Sequence, residues 1–273
     1  MDAVRTATAA STIAKTLVEA RLSATALPGY PGETPATMDD AYAIQDIAIG
    51  LYPAEVGGWK VGLIAPALRA ELGAERLAGP VFKNNIWTIG EGETFPLPVI
   101  PNGFAAAEAE FIVRVAKDAP ADKTDWSYED AEEYVGAIHI GFELAGSPLP
   151  DINGMGPRVV ASDFGNNAGL IVGPEIKDWR EKGWDNLPCE TWIDDKLIGT
   201  GTAASIPGSP IEAFRFLIEN CARRGHPLKA GDLITTGAAT GVHEIFLGQS
   251  TVVRFGDYGE IACSTVKAEP ASV

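Results

Sequence analysis

Apolar positions change their period along this chain. Near the start they recur at three- and four-residue spacing: Ile13, Leu17 and Leu22 with Lys15, Glu19 and Arg21 between them, then Ala41, Ile44, Ile47, Ala48 and Leu51. That spacing predicts two amphipathic helices. The first ends before the loop LPGYPGETP (27 to 35), and the second starts at a capping-box pattern, Thr37 as N-cap with Asp40 three residues on. Gly57-Gly58 closes this region, and WKVGLI opens something strand-like. Beyond Gly79 the apolar residues alternate or come in short runs, as in the EAE segment, AIHIGFELAG, AGLIVG, CETWIDDKLIGTG, DLITTG and STVVRFGDYGEIACSTV, with turns at Asn153-Gly154 and Gly256-Asp257. One helix interrupts them. Ser209 is its N-cap, Pro210 its first residue and Glu212 its third. Ile211, Phe214, Leu217, Ile218 and Cys221 form its apolar face, Arg223 and Arg224 lie in its last turn, and Gly225 and Pro227 stop it. The composite is α+β: a helical N-terminal region over residues 1–75 and a mostly β body over residues 76–273.

Within that body, FAAAEAEFIVRV (104 to 115) carries two glutamates two residues apart. Side chains two apart share one face of a strand, so Glu108 and Glu110 stand with Ala106 and Ile112, and Ala107, Phe111, Val113 and Val115 take the other face. Two carboxylates about 7 Å apart on a partly buried strand repel, and both resist dehydration. Either the strand is an edge whose polar face meets water, or a cation, a shared proton or a basic side chain lies between them.

Charge narrows the choice of ligand. Of 273 residues, 37 are acidic and 21 basic, a net charge of −16. Such a chain is a poor partner for nucleic acid or an anionic membrane surface, and any anionic substrate needs a local cation to draw it in. Cys189, Cys221 and Cys263 are widely spaced and read as idle or buried thiols in a reducing compartment. The first residues lack the apolar core of a signal peptide, and no run reaches membrane-spanning length, so a cytoplasmic location is expected.

Further candidate groups follow the EAE segment. As a strand, AIHIGFELAG (137 to 146) puts His139, Gly141 and Glu143 on one face and Ile138, Ile140, Phe142 and Leu144 on the other. Glu143 with Glu108 and Glu110 would make an all-oxygen site for a hard cation such as Mg2+ or Mn2+. His139 reads as a structural, hydrogen-bonded histidine. Lys60 sits in an apolar, glycine-flanked strand start, where a lysine either snorkels to the surface or works buried, binding a carboxylate or moving a proton at a lowered pKa. VVASDFGNNAGLIVG (159 to 173) gathers Ser162, Asp163, Asn166 and Asn167 around Gly165, and GDLITTGAATG (231 to 241) runs a strand into a loop with Thr236 and Gly237. Either can offer donors to an anion or be an ordinary turn. There is no G-x-S-x-G and no P-loop.

Taken in order, DDAYAIQ (39 to 45), GWKVGL (58 to 63), EAE, the glutamate of GFEL, the ASD turn closing in LIVG, and GDLITTGAATG resemble the 2-keto-4-pentenoate hydratase family. This is the hydratase/decarboxylase branch of the fumarylacetoacetate hydrolase superfamily. The resemblance implies a β roll or barrel-like body, a divalent metal (Mg2+ or Mn2+), a small 2-oxo acid substrate and a homo-oligomer. It implies a hydro-lyase acting on a 2-hydroxy-2,4-dienoate in the catabolism of aromatic compounds. The alternatives are a 2-oxo diacid decarboxylase, an acylpyruvate C–C hydrolase, or a metal-binding member without activity. It assigns the metal to Glu108, Glu110 and Glu143, catalytic roles to Lys60 and Asp163, and substrate contacts to Ser162, Thr236 and Gly237. Two positions depart from the family pattern. Glu75-Arg76-Leu77-Ala78-Gly79-Pro80 lacks the acidic residue that family members commonly carry there, and Gly165-Asn166-Asn167 replaces a serine-rich stretch.

Overall fold

The computed structural model describes residues 2–90 and 92–271. The helices are α1 (Asp2–Leu22), α2 (Met38–Leu51), α3 (Pro66–Leu72), α4 (Tyr128–Glu132), α5 (Pro157–Ser162), α6 (Trp179–Lys182) and α7 (Ser209–Arg223). The strands are β1 (Val56–Leu63), β2 (Arg76–Phe82), β3 (Ile86–Trp87), β4 (Thr94–Val99), β5 (Phe104–Val115), β6 (Val135–Ser147), β7 (Asn167–Glu175), β8 (Pro188–Ile193), β9 (Lys196–Thr202), β10 (Leu233–Thr235), β11 (His243–Glu244), β12 (Ser250–Arg254) and β13 (Glu260–Lys267). The larger sheet runs β2-β1-β10-β5-β6-β7-β3, with β11 also on β5, and the smaller runs β4-β13-β12-β8-β9. Both are mixed, since β1 and β10, β3 and β7, and β4 and β13 pair in parallel. The class is α+β, and no described helix is long and apolar enough to cross a membrane.

The EAE strand is central rather than an edge. β5 has β6 on one side and β10 and β11 on the other, so both its edges are paired. Ala107, Ala109, Phe111 and Val113 face the main core with Ile138, Ile140, Phe142 and Leu144 of β6. That core lies between the sheets, where Phe111 meets Phe255 edge to face at 5.4 Å. The apolar face of α7, from Ile211 to Cys221, closes it. A second core joins α1, α2 and α5 through Ile13, Leu17, Ala41, Ile44, Ala48 and Val159. Buried Gln45 of α2 ties these layers together, donating to the carbonyls of Ala78 (2.9 Å) and Ala161 (2.5 Å).

The α2 capping box forms as the sequence predicts, with Asp40 N–H donating to Thr37 Oγ1 at 3.1 Å. Leu51, expected on its apolar face, is exposed because the helix ends there. The cap of α7 is Gly208 in the left-handed region, not Ser209. Ser209 begins the helix at φ 85°, and its hydroxyl accepts from the Ile211 amide at 3.3 Å. α5 occupies part of the predicted ASD turn, a single helical turn opened by Pro157 and too short for periodicity to reveal. The three cysteines are unpaired and buried.

Candidate active site

Antiparallel pairing of β5 with β6 sets Glu108 opposite Glu143 and Glu110 opposite Gly141. All three carboxylates therefore share one face, and each offers an oxygen within 4.8 Å of the others. They are almost wholly buried: Glu108 is 3 % exposed, Glu110 and Glu143 0 %. β1 brings Lys60 to the same place through its parallel pairing with β10, and Lys60 Nζ lies 3.4 Å from Glu143 Oε1.

The hydrogen bonds divide the carboxylates by task. Glu143 is held at both oxygens, accepting from Asn167 Nδ2 at 3.0 Å and from Thr235 Oγ1 at 2.6 Å. Glu110 Oε2 accepts the amides of Thr236 (2.9 Å) and Gly237 (2.7 Å), while its Oε1 is buried without a partner. Glu108 faces a cavity of ≈ 450 Å³, within the range of small-molecule sites. Burial raises the pKa of Glu108 to about 7, with Lys60 pulling it down and Glu143 pushing it up. Burial, then Glu143 and Glu108, raise that of Glu110 well above the ordinary carboxylate range. Lys60 corrects the expectation of a lowered pKa. Burial opposes its charge, but Glu143, Glu108 and Glu110 outweigh burial and raise it, so the ammonium is held charged.

This donor set fits a hard divalent cation. Its ligands are all oxygen, one buried oxygen lacks a partner, and three carboxylates against one ammonium leave two groups whose ionised form needs a cation to balance it. Among the described residues no histidine or cysteine joins the cluster. His139 is apart from it, with Nδ1 3.1 Å from the Gly173 carbonyl and Nε2 buried without a partner.

Lys60, Glu108, Thr236 and Gly237 line the cavity; Ser162 and Asp163 do not. Asp163 accepts from Arg21 Nε at 2.6 Å and from Ser147 Oγ at 2.6 Å. Arg21, from the last turn of α1, also donates to the carbonyls of Asn167 (2.8 Å) and Gly146 (3.0 Å). Ser162 Oγ donates to Val159 O at 2.8 Å and meets Tyr30 Oη at 2.9 Å. These contacts pin the segment that follows, in which Phe164, Gly165 and Asn166 all have positive φ (57°, 61° and 56°). Phe164 is kept in that costly conformation by Phe82 (5.0 Å, edge to face) and by the Arg21 guanidinium 5.1 Å from its ring. The turn lies directly on β2, where a Cβ at Gly79 would sit 2.0 Å from the Phe164 carbonyl oxygen. Its product is Asn166, whose Oδ1 accepts from Lys60 Nζ at 3.0 Å. Sequence reasoning missed Arg21 and Asn153, the latter accepting from Asn166 Nδ2 at 3.2 Å. Neither stands in a chemistry-bearing motif.

Comparison with known proteins agrees with the sequence pattern. The chain is 29 % identical over 259 residues to a 4-oxalocrotonate decarboxylase from Pseudomonas sp, covering 93 % of this chain and 97 % of that protein. It is 26 % identical over 232 residues to a 2-keto-4-pentenoate hydratase from Paraburkholderia xenovorans, covering 82 % and 79 %. The fold is similar to that of 4-oxalocrotonate decarboxylase from Pseudomonas putida G7 complexed with magnesium and adipate, at TM-score 0.79 and 19 % identity over 94 % of this chain and 97 % of that one. Residues 71–268 match the fumarylacetoacetate (FAA) hydrolase C-terminal family, and with its curated relatives being hydratases and decarboxylases of that type, the chain belongs to this family.

Proposed function

We propose that the protein is a Mg2+- or Mn2+-dependent hydro-lyase that adds water to a 2-hydroxy-2,4-dienoate or its 2-oxo-enoate tautomer in aromatic-compound catabolism. The observation that carries this reading is the convergence of Glu108, Glu110 and Glu143 with a charged Lys60 beside one small-molecule cavity. A divalent cation there supplies Lewis-acid polarisation of a 2-oxo acid's oxygen. Thr235, Asn167 and the amides of Thr236 and Gly237 fix the orientation of the carboxylates, and Glu110 Oε1 and Glu108 are left to turn toward a ligand. Lys60, aimed by Asn166, attracts the substrate carboxylate against the net negative field of the protein. Thr236 and Gly237 form the cavity wall next to it. Asp163 and Ser162 act as positioning residues, holding the turn that carries Asn166. Val242, Phe246 and Leu247, exposed and apolar, support a homo-oligomer.

The match covering 97 % of a decarboxylase favours a second reading, loss of CO2 from a 2-oxo diacid at the same site. C–C hydrolysis has less support, since His139 does not line the cavity. Product mass spectrometry after incubation with a short 2-hydroxy-2,4-dienoate and with a 2-oxo-enedioate, each with Mg2+ and with EDTA, tests these readings. Gain of one water that EDTA abolishes is expected. Loss of CO2 moves the assignment to the decarboxylase, and no change in either compound refutes both.

A further inference from the structure

Arg76, the first residue of β2, lines the same cavity as Lys60 and Glu108. It is only 6 % exposed, yet the one hydrogen bond it makes among the described residues is from Nη2 to the Pro207 carbonyl. Among the described residues no carboxylate forms an ion pair with it. Of the two acidic groups that act on it, Glu75 makes no ion pair with it, and Glu212 is engaged at both oxygens by Arg215, at 2.6 and 2.8 Å. An arginine carries five donors, and with one carbonyl as its partner this cavity-lining side chain keeps donors free for an anion.

β2 pairs with β1 so that Lys60 faces Gly79 and Leu63 faces Arg76. Arg76 thus stands three residues along the sheet from the register of Lys60, roughly 10 Å at the rise of a strand. Strand alternation sends its side chain off the opposite face from Gly79. The side chain then turns around the end of β2 to Pro207, itself part of the cavity wall. Arg76 also borders a polar groove with Glu212 and Arg215, but there Arg215 has already claimed the carboxylate. The cavity lining includes the apolar Val61, Ile64, Leu77 and Ile206. Lys60 and Arg76 are the two cations of the lining, and Lys60 is already paired with Glu143.

We propose that Arg76 is a second anion anchor and that the site takes a dicarboxylate, its 2-oxo acid end at the glutamate cluster and its distal carboxylate on the Arg76 guanidinium. This rests on the metal-end reading given above for the orientation of the ligand. Arginine suits the task because its planar fork holds a carboxylate through two parallel hydrogen bonds.

The test is calorimetric titration of the Mg2+-loaded protein with pyruvate, 2-oxohexanoate and 2-oxohexanedioate, repeated in EDTA. The diacid is expected to bind at least about tenfold more tightly than the monoacid of equal length. Arg76→Met should reverse the order, weakening the diacid and strengthening the monoacid, and Arg76→Lys should keep an intermediate preference. Equal affinity of the wild type for both, or a diacid preference that survives in Arg76→Met, overturns the proposal. If Arg76→Met does not fold, Arg76→Gln and Arg76→Lys decide by the same ratio. Pyruvate separates the two readings. EDTA-sensitive pyruvate binding without a diacid preference sinks the anchor and spares the proposed function, whereas an Arg76-dependent preference indifferent to EDTA upholds the anchor and sinks the metal site.

Discussion

Removing divalent ions and raising the pH should destabilise this protein, and the size of the effect follows from Glu108. Burial, with Glu143 adding and Lys60 subtracting, lifts its pKa from 4.5 to about 7. A carboxyl whose folded pKa exceeds its unfolded one binds its proton more tightly in the native state. The native state is therefore favoured below the unfolded value, and that advantage is lost as pH rises toward the folded value. At about 1.4 kcal/mol per pKa unit, the loss by pH ~8 is on the order of 3 kcal/mol, and Glu110 adds to it in the same direction. A bound ion at about a hundred times its Kd returns about 2.7 kcal/mol. It returns more at the higher pH, where protons no longer compete for the ligands. Urea unfolding followed by tryptophan fluorescence, in EDTA and in Mg2+ at about pH 5.5 and about pH 8, reads both quantities, the Glu108 share over that interval being about 2 kcal/mol. The net charge of −16 also destabilises the protein as pH rises, but Glu108→Gln shares that background and lacks the titrating group. The reasoning fails if wild type and Glu108→Gln lose stability equally with pH in EDTA, or if Mg2+ stabilises the wild type by the same amount at both pH values.

Three other outcomes can be checked with single variants. Arg21→Met leaves the Asp163 carboxylate buried without its cation and should cost about 3–5 kcal/mol in chemical denaturation. Gly79→Ala forces the Phe164 to Asn166 turn off β2, with an expected loss of about 2–3 kcal/mol and a lowered Tm. Lys60→Met should cut product formation about a hundredfold or more. It should also tighten metal affinity in calorimetry, because a charge that repels the ion is gone; weaker metal binding would contradict the placement of Lys60 beside Glu143.

Much of the site was legible because its ligands sit on strands long enough to show their period. Glu108 and Glu110 two apart, and Glu143 on a second apolar strand, fix which faces they occupy. What period cannot give is pairing. The edge-strand reading of FAAAEAEFIVRV fails only because β10 and β11 cover the other side of β5. Lys60 could equally have snorkelled to solvent, and its burial depends on a parallel partner far along the chain, β10. Asp163 carried a recognisable motif, but its partner Arg21 lies 142 residues away in a helix whose pattern marks it only as a polar position.

From the sequence alone come the α+β class, the capping box of α2 and the apolar face of α7, the three carboxylates and their approximate company, since all of these are local matters of period and residue chemistry. The tertiary structure decided the register that sets Glu108 against Glu143, the cavity beside them, and the placement of Arg76 in its lining with a single hydrogen bond. Those depend on which distant strands pair and which side chains are left without a partner, and close packing settles both only once the whole chain is in place.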